Sequence, residues 1–292
     1  MDLAVLAALG AGIGWGVATT ASGRAVRDIS APLLTSIYNL IAFGLFGLVF
    51  LVSNERTAIK TSNVDYIIGK TFAAGLIAGL AFSIGMTVIS IGLSRGRAGV
   101  VGPISSTFEV LIPFIYAVAA HRLPEPIALV GIAILFFVPW LVTRSHKVTT
   151  HTTSISYDVA LGCVAGIGFG SYYVGLYLAP RETPLLTMAI VQLISGLAML
   201  AVHIFTHRSW KIKREHLSWA AIFLIGEIAG AIFLRYAITH GSPAVVATLS
   251  AILYVTLLLV LSYFINHERF IKPQIIGFIL TVIGIALVVL NS

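Results

Sequence analysis

The chain has 292 residues, of which 58% are hydrophobic and only 10% are charged. A soluble domain usually carries about 25% charged residues, so this chain could not cover a folded surface in water. The alternative solvent is lipid, in which α-helices satisfy every backbone N–H and C=O group internally. Composition therefore excludes a water-soluble domain and predicts an all-α integral membrane protein.

The net charge of +7 is compatible with nucleic-acid binding, but the placement of the cations is not. Lys and Arg are scattered in short loops between apolar runs, where such residues set the orientation of a membrane protein. The single cysteine, Cys163, excludes an intramolecular disulfide, and the sequence has no Cys/His cluster. We therefore expect no metal, no cofactor and no nucleic-acid partner.

A membrane-spanning helix needs about 20 mostly apolar residues. Ten such runs follow one another along the chain, near residues 3–22, 32–52, 67–92, 98–119, 126–143, 157–178, 184–206, 217–238, 243–264 and 273–290. Proline is favoured in the first turn of a helix, where its missing N–H costs little. It marks the start of five of these runs, at Pro32, Pro126, Pro184, Pro243 and Pro273.

The two halves of the chain repeat short motifs in the same order. The matched segments are Gly-Ile-Gly-Trp-Gly at 12–16 with Gly-Ile-Gly-Phe-Gly at 166–170, Pro-Leu-Leu-Thr at 32–35 with 184–187, Gly44 with Gly196, Gly96-x-Ala98-x-Val100-Val101 with Gly241-x-Pro243-x-Val245-Val246, and Gly131 with Gly277. Because each half has five spans, an odd number, the second half must enter the membrane from the opposite side. The sequence predicts two inverted five-helix repeats, residues 1–145 and 146–292, which together form one transport domain.

Halves of opposite orientation are typical of alternating-access carriers, whose central site is exposed to each side of the membrane in turn. The alternative is that duplication only produced a larger helix bundle. A carrier of this kind is complete in one chain, so an oligomer is not required. The sequence has no ATP-binding loop of the GxxxxGK[ST] type, so transport would be driven by a gradient or by an exchanged solute.

The end of each half resembles a known family. His267-Glu268-Arg269-Phe270, followed by Gln274-Ile275-Ile276-Gly277 and Gly284, is similar to the signature before the last span of the EamA-like ten-helix transporters in the drug/metabolite transporter superfamily. The first half keeps Pro126 and Gly131 but has Arg122 at the position of the signature glutamate. The family often has prolines midway along its fourth and ninth spans, and the corresponding positions here fall near Glu109 and Tyr254.

The resemblance implies a secondary transporter, an exporter or exchanger of small metabolites such as amino acids, sugars, nucleotide-like solutes or amines. It also implies a multi-pass protein of the prokaryotic inner membrane with both termini in the cytoplasm. The charge distribution predicts the reverse orientation. Loops on the side opposite the termini carry 12 of the 18 Lys and Arg residues, which favours termini outside the cell.

Two carboxyl groups are the strongest candidates for a functional site. An ionised side chain in mid-membrane is expensive and usually faces water or the protein interior. The aspartates lie at span ends, whereas Glu109 and Glu227 fall near the middle of the fourth and eighth spans. Either glutamate could carry a proton, bind a cationic group of a substrate, or simply fix helix packing.

Other candidates for substrate binding are aromatic, amide and cationic side chains in similar places. A solute pocket needs apolar walls and a few directed polar groups. The candidates are Trp15, Tyr38, Asn39, Tyr172, Gln192, Arg235, Tyr236 and Tyr254, and Tyr173 lies in the same group beside Tyr172. Arg235 lies two helical turns from Glu227 and could hold a substrate carboxylate or pair with either glutamate.

Three other functions stay open at this point: a membrane-embedded enzyme, a translocator of lipid-like substrates and a channel. The sequence has no HExxH and no intramembrane aspartate pair, so no enzyme is expected. The expected partners are a small solute, the membrane lipids and, if transport is coupled to them, protons.

Overall fold

A computed structural model describes residues 3–27, 29–55, 59, 64–95, 98–119, 126–144, 155–206, 210, 217–240, 243–265, 267 and 269–289. The described residues form ten α-helices. They are α1 Leu3–Ala25, α2 Ala31–Val52, α3 Val64–Ser94, α4 Ala98–Ala119, α5 Pro126–Arg144, α6 Ile155–Leu178, α7 Pro184–Thr206, α8 Leu217–His240, α9 Pro243–Ile265 and α10 Lys272–Val289. Every predicted span is a helix, and every predicted end lies within three residues of the observed one.

Seven of the helices are long and apolar enough to cross a membrane when the described residues are considered. The other three, α5, α9 and α10, contain shorter described apolar stretches, Leu129–Val138, Ser250–Ile265 and Lys272–Leu287. Large apolar side chains cover the outside of the bundle, and Val52 and Phe205 are 86% and 88% exposed. Lipid is the solvent in which such a surface is stable, because it offers no water from which apolar groups must be hidden.

The main helix contacts connect the two halves. Helix α1 packs against α8 and α9, and its counterpart α6 packs against α3 and α4. Helix α2 packs against its own counterpart α7, and α5 packs against its counterpart α10. Exchanging each helix for its counterpart reproduces these main contacts, as expected for two inverted five-helix repeats.

Glycines explain how closely these helices cross. A Cβ atom added to Gly14 of α1 would lie 2.7 Å from both Gly226 O and Gly230 N of α8. A Cβ atom added to Gly168 of α6 would lie 2.7 Å from Ala81 O of α3. Small residues allow backbones to approach this closely in a membrane. The repeated glycine motif is therefore the crossing point of the two halves.

The core is continuous through the middle of the bundle and involves α1 to α4 and α6 to α9. Helices α5 and α10 lie at one side, where Leu135 and Ile285 form a smaller cluster with Leu111 and Ala251. The predicted boundary between residues 145 and 146 lies outside the described residues and stays a prediction.

The loop before α10 contains the motif that carries the family resemblance. Gln274 Oε1 accepts a hydrogen bond of 3.0 Å from the backbone N–H of Ile271, so the signature glutamine caps the beginning of α10. Such a bond satisfies an N–H group that has no partner within the helix. The glutamate of the same signature, Glu268, lies outside the described residues.

Candidate functional site

A small cavity lies at the centre of the bundle, near the midpoints of six helices. Its volume is about 30 Å³, enough for about two water molecules. The lining residues are Trp15 and Thr19 of α1, Phe82 and Met86 of α3, Glu109 of α4, Phe169, Tyr172 and Tyr173 of α6, Glu227 of α8 and Tyr254 of α9.

The lining comes from the same three helices of each half. At the glycine crossings, Gly14 of α1 meets Gly226 of α8, and Gly168 of α6 meets Ala81 of α3. Equivalent residues of α3 and α8 are therefore 145 positions apart in the sequence. The repeated motifs relate α1 to α6 by 154 positions and α4 to α9 by 145. Equivalent lining residues are Trp15 with Phe169, Thr19 with Tyr173, Phe82 with Glu227 and Glu109 with Tyr254. Each glutamate therefore stands where the other half has an aromatic ring.

Glu109 reaches the cavity from a helix that contains two prolines. Pro113 has no N–H group, so the Glu109 carbonyl lacks the hydrogen bond that it would usually accept from the N–H group four residues later in the helix. The Glu109 side chain is 7% exposed, and its carboxyl group faces the Tyr173 hydroxyl. Tyr254 also lies close enough to interact with it electrostatically.

Glu227 is 1% exposed and occupies the middle of α8. The phenol groups of Tyr38, Tyr172 and Tyr254 are its electrostatic neighbours. Tyr254 is therefore near both carboxyl groups. One oxygen of each glutamate, Oε2, is buried without a hydrogen-bond partner among the described residues.

Aromatic rings form a continuous wall beside the two carboxyl groups. The Phe82 ring lies 5.2 Å from the Tyr172 ring and 6.2 Å from the rings of Phe169 and Tyr38, measured between centroids. The rings of Tyr172 and Tyr173 are 5.4 Å apart. These separations are those of favourable aromatic pairs, so the rings support one another's positions.

Three of the predicted site residues, Tyr38, Asn39 and Gln192, lie outside the cavity lining. The Gln192 amide donates a hydrogen bond of 3.1 Å to the Tyr38 hydroxyl and so connects α7 to α2. Asn39 is fully buried, and its amide donates to the Thr35 carbonyl of the same helix at 2.7 Å. None of the three is among the lining residues, but Tyr38 touches the wall through Phe82.

Arg235 lies nearer the side of the membrane on which the termini lie. Its guanidinium group forms an ion pair of 3.1 Å with Glu55, which follows α2. The Glu55 carboxylate also accepts hydrogen bonds from the backbone N–H groups of Leu185 and Leu186, at 2.9 and 3.3 Å, in the first turn of α7. The structure thus gives Arg235 an ionic partner other than the two membrane-centre glutamates.

Contacts between the halves also lie on the opposite side of the bundle. Ser30 Oγ, at the beginning of α2, lies 2.8 Å from Nδ1 of the buried His203 near the end of α7. The Arg24 guanidinium donates a hydrogen bond to the Ile265 carbonyl at the end of α9. The cavity therefore lies between two layers of contacts that join the halves.

Comparison with known proteins places this architecture in a family. The sequence profile of the EamA-like transporter family matches residues 2–144 and again residues 157–290. The chain belongs to the EamA-like transporter family. No curated protein matches the chain. One solved structure, described only as a crystal structure of a protein, aligns with 98% of this EamA-like chain over 96% of its own chain. The two sequences are 18% identical, and the TM-score is 0.59.

Five of the ten candidate residues of this EamA-like transporter line the cavity: Trp15, Glu109, Tyr172, Glu227 and Tyr254. Tyr236 lies elsewhere. It is 41% exposed, and its ring stacks on His240 one turn later at a centroid distance of 4.3 Å. Tyr236 follows Arg235 directly, so the turn of the helix points the two side chains in different directions.

The site of the EamA-like transporter also contains residues that the candidate set omits. They are Thr19, Phe82, Met86 and Phe169. The lining also includes Tyr173, which the sequence places beside the candidate Tyr172. The internal repeat contains a signal for several of them, since Phe169 is the counterpart of Trp15 and Phe82 that of Glu227. Glu55 had no such signal, because it lies at the end of a span, where charged residues are common.

Proposed function

We propose that the protein is a secondary transporter that exports or exchanges small metabolites by alternating access around the central cavity. The observation that carries this proposal is the lining of the cavity by counterpart helices of two inverted halves. Such a site lies on the pseudo-twofold axis, so a rearrangement of one half against the other can expose it to either side. Amino acids, sugars and amines are the solute classes to test first.

The small volume of the cavity fits one step of this cycle. A volume of about 30 Å³ holds about two waters, so any metabolite requires the helices to separate. The contacts of Glu55 with Arg235 and α7 would open on one side, and those of Ser30 and Arg24 on the other. Binding and release would alternate with these two openings.

Glu109 and Glu227 are the proposed sites of proton coupling. The groups that face them come from α2, α6 and α9 and are the phenols of Tyr38, Tyr172, Tyr173 and Tyr254. A buried carboxyl oxygen without a donor is costly when it is charged. Loss of the proton would therefore accompany opening of the cavity or arrival of a positive group.

The proposed location is the inner membrane of a prokaryote. For the orientation, a single cysteine in the short connection between α6 and α7, such as Glu182→Cys in a Cys163→Ala chain, gives a direct test. Labelling of intact cells by an impermeant thiol reagent would show that the side of the termini is outside. Labelling only after lysis would show that it is inside.

Counterflow in proteoliposomes tests the proposed function. Vesicles loaded with pools of unlabelled amino acids, sugars or amines receive the corresponding labelled compounds outside. We expect saturable accumulation for one pool. Absence of accumulation for every pool, from protein that unfolds cooperatively on heating, would contradict metabolite transport.

Replacement of Glu109 by Gln is expected to preserve folding and to reduce transport, or its dependence on pH, by tenfold or more, roughly what losing one buried charge contact costs. The matched control is Glu182→Gln, because Glu182 is exposed between α6 and α7. Counterflow at several pH values measures both variants. If Glu109→Gln transports as well as the wild type at every pH, Glu109 contributes only to helix packing.

A further inference from the structure

We propose that the transported solute is an organic cation with an apolar or aromatic body and no carboxylate of its own. The inference rests on the proposed function, since it names the substrate class of the same cavity. It goes beyond that proposal by excluding zwitterionic amino acids, sugar phosphates and other anions from the site.

The charge of the cavity is the first argument. Among the lining residues that the structure describes, two carry carboxyl groups and none carries a positive group. Arg235, the cation of α8 nearest in sequence to Glu227, is held by Glu55 toward one side of the bundle. A positive solute group would therefore meet opposite charge at the centre, and a negative group would meet only like charge.

The aromatic wall is the second argument. Six of the ten lining residues are Trp, Tyr or Phe. The faces of aromatic rings attract cations, and sites that bind ammonium groups are often boxes of such rings. The same rings pack well against an apolar body. Trp15 lies against α8 at Gly230, where an added Cβ atom would be 2.8 Å from the indole, so its ring position is fixed by the helix crossing.

The unpartnered carboxyl oxygens are the third argument. Oε2 of Glu109 and Oε2 of Glu227 are both buried without a hydrogen-bond donor among the described residues. A buried acceptor without a donor is unfavourable, and ammonium N–H groups are suitable donors. On binding, the cation takes the place of a proton, which leaves for the solvent on the side to which the cavity is open. The charge of the site is thereby conserved.

The lining of the cavity distinguishes amines from amino acids. An amino acid brings a carboxylate that needs a positive partner, and the described lining has only hydroxyl groups and the Trp15 indole to offer as donors. Burying a carboxylate beside two acidic side chains without a cation is strongly unfavourable. A decarboxylated analogue keeps the ammonium group and the body but removes this conflict.

Matched pairs of compounds test the proposal in the full-length protein. Proteoliposomes are assayed by counterflow with phenethylamine against phenylalanine and with tryptamine against tryptophan. We expect the amine of each pair to be exchanged roughly 100-fold more efficiently than the amino acid. We also expect the amine to raise the melting temperature of the purified protein in detergent, whereas the amino acid leaves it unchanged.

Variants connect the result to the cavity. Glu227→Gln and Glu109→Gln are each expected to reduce amine binding by at least tenfold, while Glu182→Gln binds as the wild type does. Equal or better exchange of the amino acids would overturn the cation proposal and leave the transport function standing. Binding of amines that survives both cavity substitutions would overturn it too. Absence of exchange by any solute, with amine binding retained, would count against transport but support the cation site.

Discussion

The glycines at the helix crossings lie where one additional carbon atom would not fit. Gly14 and Gly168 occupy equivalent places in the two halves, and both lie directly on a neighbouring backbone. Backbone atoms cannot move aside as a flexible side chain can. The spacing of α1 from α8 and of α6 from α3 therefore depends on the absence of a side chain at these positions.

Replacing Gly14 by Ala is expected to lower the stability of the protein by about 1–3 kcal/mol, because the added Cβ would lie 2.7 Å from Gly226 O. Gly168→Ala should behave similarly, since its Cβ would lie 2.7 Å from Ala81 O. Thermal unfolding in detergent measures both changes.

Gly47→Ala is the matched control, because nothing lies within 4 Å of the added Cβ. Alanine is a better helix former than glycine, so this variant should be as stable as the wild type or slightly more stable. Equal stability of Gly14→Ala and Gly47→Ala would show that α1 and α8 do not cross as closely as described.

At the scale of helices, the ion pair between Glu55 and Arg235 connects three elements across the two halves. The Glu55 carboxylate lies at the beginning of α7, where the free N–H groups of a helix favour a negative charge. The pair is only partly exposed, with relative side-chain exposures of 22% for Arg235 and 12% for Glu55. In the proposed transport cycle, opening of the cavity toward the side of the termini would require these contacts to break.

Replacing Glu55 by Gln should cost about 1–3 kcal/mol of stability, because charge-assisted hydrogen bonds to α7 are lost. It should also favour the state that is open toward the side of the termini. A cysteine at Thr19 in a Cys163→Ala chain reports this state, since Thr19 lines the closed cavity. Faster thiol labelling of the Glu55→Gln chain is the expected result.

Arg181→Gln serves as the control for this experiment, because Arg181 is an exposed cation on the same side. Its labelling rate should equal that of the parent chain. If Glu55→Gln also labels at the parent rate, the ion pair does not hold the cavity closed.

At the scale of the whole molecule, each half relies on the other for its main contacts. Helices α1 and α6 pack on helices of the opposite half, and α2 pairs with α7. A half expressed alone would expose its polar cavity residues and its glycine crossings to lipid. We therefore predict that the two inverted repeats are parts of a single folding unit.

Splitting the chain between residues 145 and 154 tests this view. Neither half alone is expected to unfold cooperatively, whereas the two halves expressed together should copurify and share one melting transition. Affinity purification through a tag on the first half, followed by thermal unfolding, measures the outcome. A first half that melts cooperatively by itself would contradict the interdependence.

The amino-acid sequence by itself determined the membrane class, the ten helices, the inverted repeat and the family. These properties depend on the length of apolar runs and on motifs within each half, which are local features. It also made Glu109 and Glu227 the leading candidates for a site, because a carboxyl group in the middle of an apolar run is conspicuous wherever its side chain points.

Only the tertiary structure decided which of the other polar residues share the cavity. In a membrane, the lipid-facing and inward-facing sides of a helix are both apolar, so the sequence pattern does not show which side a tyrosine takes. Tyr236 lies outside while Tyr254 lies at the centre, and Arg235 is held by Glu55, which is 180 positions away in the chain. Such contacts depend on how helices from opposite halves cross, and that is a property of the folded bundle alone.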